Sequence, residues 1–154
     1  MKVHIELIDG LAEDEVIIRC GRVDEKLQKI HRFILDQSSS VSEIVFYKQN
    51  KEFYFPLDHV LFFETEGEYV FAHTSDDDYR IKYHLSELDE TLPRYFVRTS
   101  KSAIVNTMQV YSITRNITAS SLIQFKDSHK HVYVSRHYYN ALRQRLNERS
   151  NYEK

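Results

Sequence analysis

The residues best suited to chemistry fall in two short runs. Arg98-Thr99-Ser100-Lys101-Ser102 joins two β-type stretches and offers two cations and three hydroxyls. Arg and Lys neutralise phosphate while hydroxyls supply short neutral hydrogen bonds, so such a loop suits phosphate and base-edge contacts. Ser135-Arg136-His137 opens the last helical stretch, where free backbone N–H groups and the helix dipole already favour an anion. A third group, Arg143, Arg145 and Arg149, fits the solvated face of an amphipathic helix at least as well as an anion surface.

Catalytic and metal chemistry find less support. His129 and His131 share a strand face and could chelate, yet no third ligand stands at a recognisable spacing and HExxH is absent. A polar turn entering a strand is the simpler reading. Asp76-Asp77-Asp78 lacks the spaced ligands of a calcium loop and reads as a solvated turn. Cys20, the single cysteine, excludes an intrachain disulfide and a multi-thiolate zinc site, and reads as a small core residue. Gly10, Gly21 and Gly67 are isolated, so no phosphate-cradling glycine loop exists. The residues favour nucleic-acid binding without enzyme activity, metal or cofactor. A protein-interaction module meeting an acidic partner through the basic half is the alternative.

The charge distribution agrees. Of 154 residues, 1–93 carry 10 basic and 20 acidic side chains, whereas 94–154 carry 11 basic and 3 acidic, although the net charge is only −2. With 42% hydrophobic residues, eleven Tyr and nine Phe, the chain is globular rather than disordered. No apolar run approaches the roughly 18–20 residues of a membrane span. MKVHIELIDG is not a signal peptide, because His4 and Glu6 interrupt its apolar stretch. The chain reads as cytoplasmic.

The elements that must position these runs can be traced from periodicity. Val3, Ile5 and Leu7 alternate with His4 and Glu6, predicting a half-buried strand, and Val16-Ile17-Ile18 predicts a second. Asp24 caps a helix with Leu27, Ile30 and Ile34 on one face, ending near Gln37. Ser38-Ser39-Ser40 then marks a boundary, giving a strand–strand–helix extension over 1–42 and a second unit over 43–150. From residue 43 onward short strands follow one another, around the turns Gln49-Asn50-Lys51 and Asp76–Asp78 and the acidic loop Glu64–Glu68. A short helix capped by Ser86 and closed by Pro93 interrupts them, and a helix begins after Ser135 with Tyr138, Leu142 and Leu146 aligned. The expected class is mainly β (α+β), with an antiparallel body.

Three pieces in this order carry a family resemblance: Val60-Leu61-Phe62-Phe63-Glu64 with Gly67-Glu68-Tyr69-Val70; Phe96-Val97-Arg98-Thr99-Ser100-Lys101-Ser102-Ala103-Ile104-Val105-Asn106; and Val132-Tyr133-Val134-Ser135-Arg136-His137-Tyr138. From about Phe53 to Leu146 the chain resembles the LytTR DNA-binding domain of bacterial transcription regulators. The resemblance implies an elongated fold of antiparallel strands with short helices. It implies loops that enter successive major grooves of duplex DNA, often on paired or direct-repeat sites, and bend it. Base-reading positions would be Glu68 or Tyr69, Lys101, and His137 with Arg136, while Arg98, Ser100 and Ser102 would contact phosphate or position the loop.

Some features depart from that pattern. Glu64, Glu66 and Glu68 put three carboxylates in the first reading loop, so some must turn away from phosphate. His137 stands where a basic residue is expected, and its contact strengthens on protonation. Residues 1–42 are too short for a phosphoacceptor receiver domain. They are expected to add to the core or to pair two chains into a homodimer. The resemblance also suggests a small inhibitory membrane protein as a partner.

Overall fold

Alternation of apolar and polar residues builds two antiparallel sheets. The computed structural model describes residues 1–12, 14–38, 44–116 and 118–152. Helix α1 spans Glu25–Ser38. Strands β1 (Phe46–Lys48), β2 (Lys51–Phe53), β3 (Phe62–Glu66), β4 (Tyr69–His73) and β5 (Asp78–Ile81) lead into α2 (Leu85–Thr91). Then come β6 (Phe96–Ser100), β7 (Ala103–Asn106), β8 (Val110–Thr114), β9 (Ser121–Phe125), β10 (His131–Val134) and α3 (Arg136–Tyr152). The larger sheet has seven strands in the order β2-β1-β5-β4-β3-β7-β6, and the smaller three in the order β10-β9-β8. A mainly antiparallel β body with few short helices is therefore what forms, as its spacing predicts.

Two cores lie on opposite faces of the larger sheet. Phe63 and Ile104 point one way, onto Phe46, Val60, Val70 and Leu88 of α2. Their neighbours Phe62, Ala103 and Val105 point the other way, onto Val110, Ile123, Phe125 and Val134 of the smaller sheet and Leu142 of α3. Strand β7 is therefore buried at all four positions. Such a strand cannot alternate polar and apolar residues, and Ala-Ile-Val-Asn does not. Asn106 closes it: its Nδ2 donates to Val60 O at 2.9 Å and its Oδ1 accepts from Met108 N at 3.0 Å. Helix α3 holds on with more than its apolar face. Arg149 Nη1 donates to Thr107 O (2.9 Å) and Val110 O (2.7 Å), and Arg94 pairs with Glu148 at 3.3 Å. Arg145, 3.7 Å from the same carboxylate, joins that group.

The N-terminal extension departs from expectation. Helix α1 forms, with Leu27 N donating to Asp24 Oδ1 at 2.9 Å, and lies alongside α3. The strands expected at Val3–Leu7 and Val16–Ile18 do not form; both segments are irregular, and Val3, Ile5, Leu7, Val16 and Ile17 are exposed. A strand exists only in a ladder, and neither segment finds a strand partner among the described residues. Cys20 is likewise exposed rather than in a core. The boundary expected at 42/43 lies outside the described residues. Helix α2 starts one residue before Ser86, because Glu87 Oε1 accepts the His84 N–H at 3.3 Å and fixes the cap there.

Candidate nucleic-acid interface

The run Arg98–Ser102 folds into the hairpin between β6 and β7, with a register shift between Arg98 and Ser100 that marks a bulge at Thr99. Thr99 is thereby turned inward and fully buried. Arg98 does not reach outward. Its Nε donates to Ser100 O at 2.9 Å, its Nη2 to Lys101 O at 2.6 Å, and its Nη1 lies 3.6 Å from Asp89 of α2. Ser100 Oγ accepts from Ser102 N at 3.1 Å and sits 3.3 Å from Ser102 Oγ. Three of the five residues thus shape the turn, and Lys101 is left exposed at its tip with no ion pair among the described residues.

The first acidic stretch is a hairpin rather than a loop. Strand β3 runs to Glu66 and pairs it with Tyr69, leaving only Gly67-Glu68 as the turn. Gly67 has φ +63°, the left-handed value needed at the first central position of a tight hairpin, which an L side chain resists. Glu64 and Glu66 share one strand face and meet His73: all three ligating atoms lie within 4.8 Å of one another. Burial, then the Glu66 charge, raises the Glu64 pKa. His73 stacks on Phe62 with ring centroids 4.3 Å apart, and burial, aided by the Lys130 charge, pushes its pKa down to about 4. Lys130 Nζ lies 3.4 Å from His73 Nδ1, so an ammonium donating there leaves the imidazole proton on Nε2, facing Glu66 at 3.5 Å. That arrangement is a histidine–carboxylate contact rather than a ligand set. Glu66 and Glu68 are both exposed; Glu68 stands at the turn beside Tyr69, whose ring carries the Arg80 guanidinium at 3.6 Å.

Ser135 precedes α3 as expected, but its hydroxyl does not cap the helix; Ser135 Oγ is buried without a partner. Arg136 and His137 are exposed on the first turn, His137 edge-on to Tyr138 at 4.8 Å. Two backbone hydrogen bonds bring the clusters together. Thr65 N donates to Ser102 O at 2.8 Å, and Ser135 N donates to Thr99 O at 2.9 Å. The Lys101 turn is therefore flanked by the Gly67-Glu68 hairpin on one side and the start of α3 on the other.

The polar turn read at His129 and His131 stands, whereas the readings of Asp77, Arg145 and Arg149 change. His129 and His131 are exposed, and His131 packs edge-on against Tyr133 at 5.8 Å. Asp77 is not a solvated turn residue: Lys48 hydrogen-bonds to it, which holds its carboxyl below the usual range, and Lys130 donates to its carbonyl. Arg145 and Arg149 are structural, leaving Arg143 as the exposed member of that trio. Sequence spacing missed Arg80 and His73, which strand pairing sets at the first hairpin, and Lys130, which the packing of the smaller sheet brings there.

Residues 50–147 match the family described as LytTr DNA-binding domain. The chain belongs to the LytTR family. It is also similar, at 27% identity over 95% of this chain and 98% of the other, to an uncharacterized HTH-type transcriptional regulator of Staphylococcus aureus strain NCTC 8325. The counterpart in strain MRSA252 is 26% identical over the same shares. A solved LytTr DNA-binding domain from Bacillus cereus shares the fold, with TM-score 0.62 at 21% identity over 68% of this chain and 97% of that one. The LytTR architecture has no helix–turn–helix among the described residues, since strands separate each α-helix from the next. LytTR is a DNA-binding family and not an enzyme family. Among the described residues, no helix is long and apolar enough to cross a membrane.

Proposed function

We propose that this protein is a cytoplasmic transcription regulator that reads duplex DNA with the edge formed by the Gly67-Glu68 hairpin, the Lys101 turn and the start of α3. Lys101 enters a major groove as the central base contact, with Arg136 and His137 on one flank and Glu68 and Tyr69 on the other. Arg98, Ser100 and Ser102 hold the Lys101 turn in shape. The observation that carries this reading is the pair of hydrogen bonds, Thr65 N to Ser102 O and Ser135 N to Thr99 O, that aligns three separate clusters along one edge. The reading includes DNA bending, because curving the duplex toward the edge brings its flanking phosphates within reach of more of the protein surface. Residues 1–42 form a separate unit that pairs two copies, whose exposed apolar alternation at Val3, Ile5 and Leu7 awaits a strand partner.

Selection of bound sites from random duplex DNA tests the proposal. It should enrich a motif repeated at about one helical turn, roughly 10–10.5 bp, or a multiple of it. Enrichment of no sequence, with no duplex retained near physiological salt, would refute it.

A further inference from the structure

The loop between β8 and β9 belongs to none of the clusters above, yet it ends at the same edge. Thr114 pairs with Leu122, and Ser121 pairs with Val134, so residues 115, 116 and 118–120 lie beside the last residue of β10, one position before Ser135. Asn116 shapes this loop. Its N–H donates to Ser121 Oγ at 3.3 Å, and its Oδ1 accepts from Thr118 N at 3.1 Å and Thr118 Oγ1 at 3.2 Å. The neighbouring Arg115 is exposed, with its guanidinium 5.1 Å from the centre of the Tyr139 ring on α3. Tyr139 follows Arg136 by three residues, and Asn140 and Arg143 follow by four and seven, so all four share one helix face. Arg136, Asn140 and Arg143 are exposed there.

This surface has cations without compensating anions. Between Glu90 and Glu148 the sequence holds one carboxylate, Asp127. Asp127 sits in the β9–β10 turn, beyond the Gln124–His131 pair and at the opposite end of the smaller sheet. Arg115, Arg136 and Arg143 make no ion pair among the described residues. By contrast, Arg94, Arg98 and Arg145 each meet a carboxylate. Unpaired guanidinium groups beside amide and hydroxyl groups, next to a DNA-reading edge, match the chemistry of a phosphodiester backbone.

We infer that Arg115 and Arg143 form a phosphate-gripping flank that extends the DNA contact beyond the three reading clusters from the Arg136 end, with Tyr139 holding Arg115 in place. The inference rests on the DNA-binding reading above. A guanidinium stacked on a ring faces the phosphate with part of its rotamer freedom already lost, which lowers the ordering cost of the contact. Contacts of this kind set affinity and register but carry no sequence preference.

Binding of the full chain to its selected duplex and to a random duplex, measured across salt concentrations, tests the flank. Each phosphate neutralised contributes about 0.9 to the slope of log affinity against log salt. Arg115→Ala should lower that slope by about 0.9 and weaken both duplexes by the same factor. Arg115→Lys, which keeps the charge, should restore the slope. An unchanged slope in Arg115→Ala would overturn the inference. So would an equal loss in Arg115→Lys, which would make Arg115 a brace for α3 instead. A wild-type protein that binds neither duplex would sink the DNA-binding reading itself, and the flank with it.

Discussion

Two hairpins lie side by side in the larger sheet and handle charge in opposite ways. In the β3–β4 hairpin, Glu64 is half-buried on the face that holds His73, Glu66 reaches His73 while staying exposed, and Glu68 stands at the tip. In the β6–β7 hairpin, Arg98 turns inward onto two backbone carbonyls and Asp89, and one cation is left at the tip. The second hairpin thus uses its guanidinium to fix its own shape and presents one cation, Lys101, whereas the first draws Glu64 partly inward and still presents Glu66 and Glu68. The charge written in a sequence is therefore a poor measure of the charge a surface presents. The acidic half of this chain remains compatible with a DNA-facing edge for that reason.

The strongest way to break the comparison is to unseat the frame that aligns the hairpins. Leu142 is fully buried between α3 and the smaller sheet, and Leu142→Ala should cost about 2–5 kcal/mol in urea unfolding while displacing the start of α3. Next comes Arg98→Ala, which removes two charge-assisted bonds from a half-buried position. It should lower stability by about 1.5–3 kcal/mol and weaken DNA binding although Lys101 is intact, as calorimetric melting and anisotropy titration would show. Unchanged binding would mean that the turn keeps its shape without Arg98.

A smaller effect probes the acidic hairpin through pH. His73 titrates near 4 when folded, against 6.5 for an unperturbed histidine, so between those values the unfolded chain binds more protons. Its contribution is full above pH 6.5 and is lost as the pH falls toward 4. His73→Phe keeps a ring against Phe62 and should flatten the dependence of melting temperature on pH in that window. The smallest effect belongs to Glu68→Gln, which removes one exposed carboxylate. Duplex affinity should rise by less than about 1 kcal/mol, and the gain should shrink with added salt.

Much of the fold was legible because its signals are local. Alternation marked nearly every strand, Leu85, Leu88 and Leu92 marked α2, and Tyr138, Leu142 and Leu146 marked α3. The same signal misled at Val3–Leu7, where the alternation of a strand is present but its ladder partner is not. In the site, the cation and hydroxyl runs located the Lys101 turn and the start of α3, but residue types could not separate Arg98 from Lys101. That distinction depends on the bulge at Thr99, which turns one side chain onto carbonyls and leaves the other at the tip. Arg80, His73 and Lys130 were hidden for a related reason. Strand pairing sets Arg80 against Tyr69 and His73 against Glu66, and Lys130 reaches His73 and Asp77 only when the smaller sheet has packed on the larger.

The central claim is that the exposed ammonium of Lys101 reads DNA from a turn built by its neighbours. Fluorescence anisotropy of wild type and Lys101→Ala on the selected duplex, at one fixed salt concentration, tests it most directly. The account predicts a loss of roughly 1–3 kcal/mol, about fivefold to a hundredfold in affinity, with discrimination between selected and random duplexes reduced and the melting temperature unchanged. Equal affinity of the two proteins for the selected duplex would contradict it.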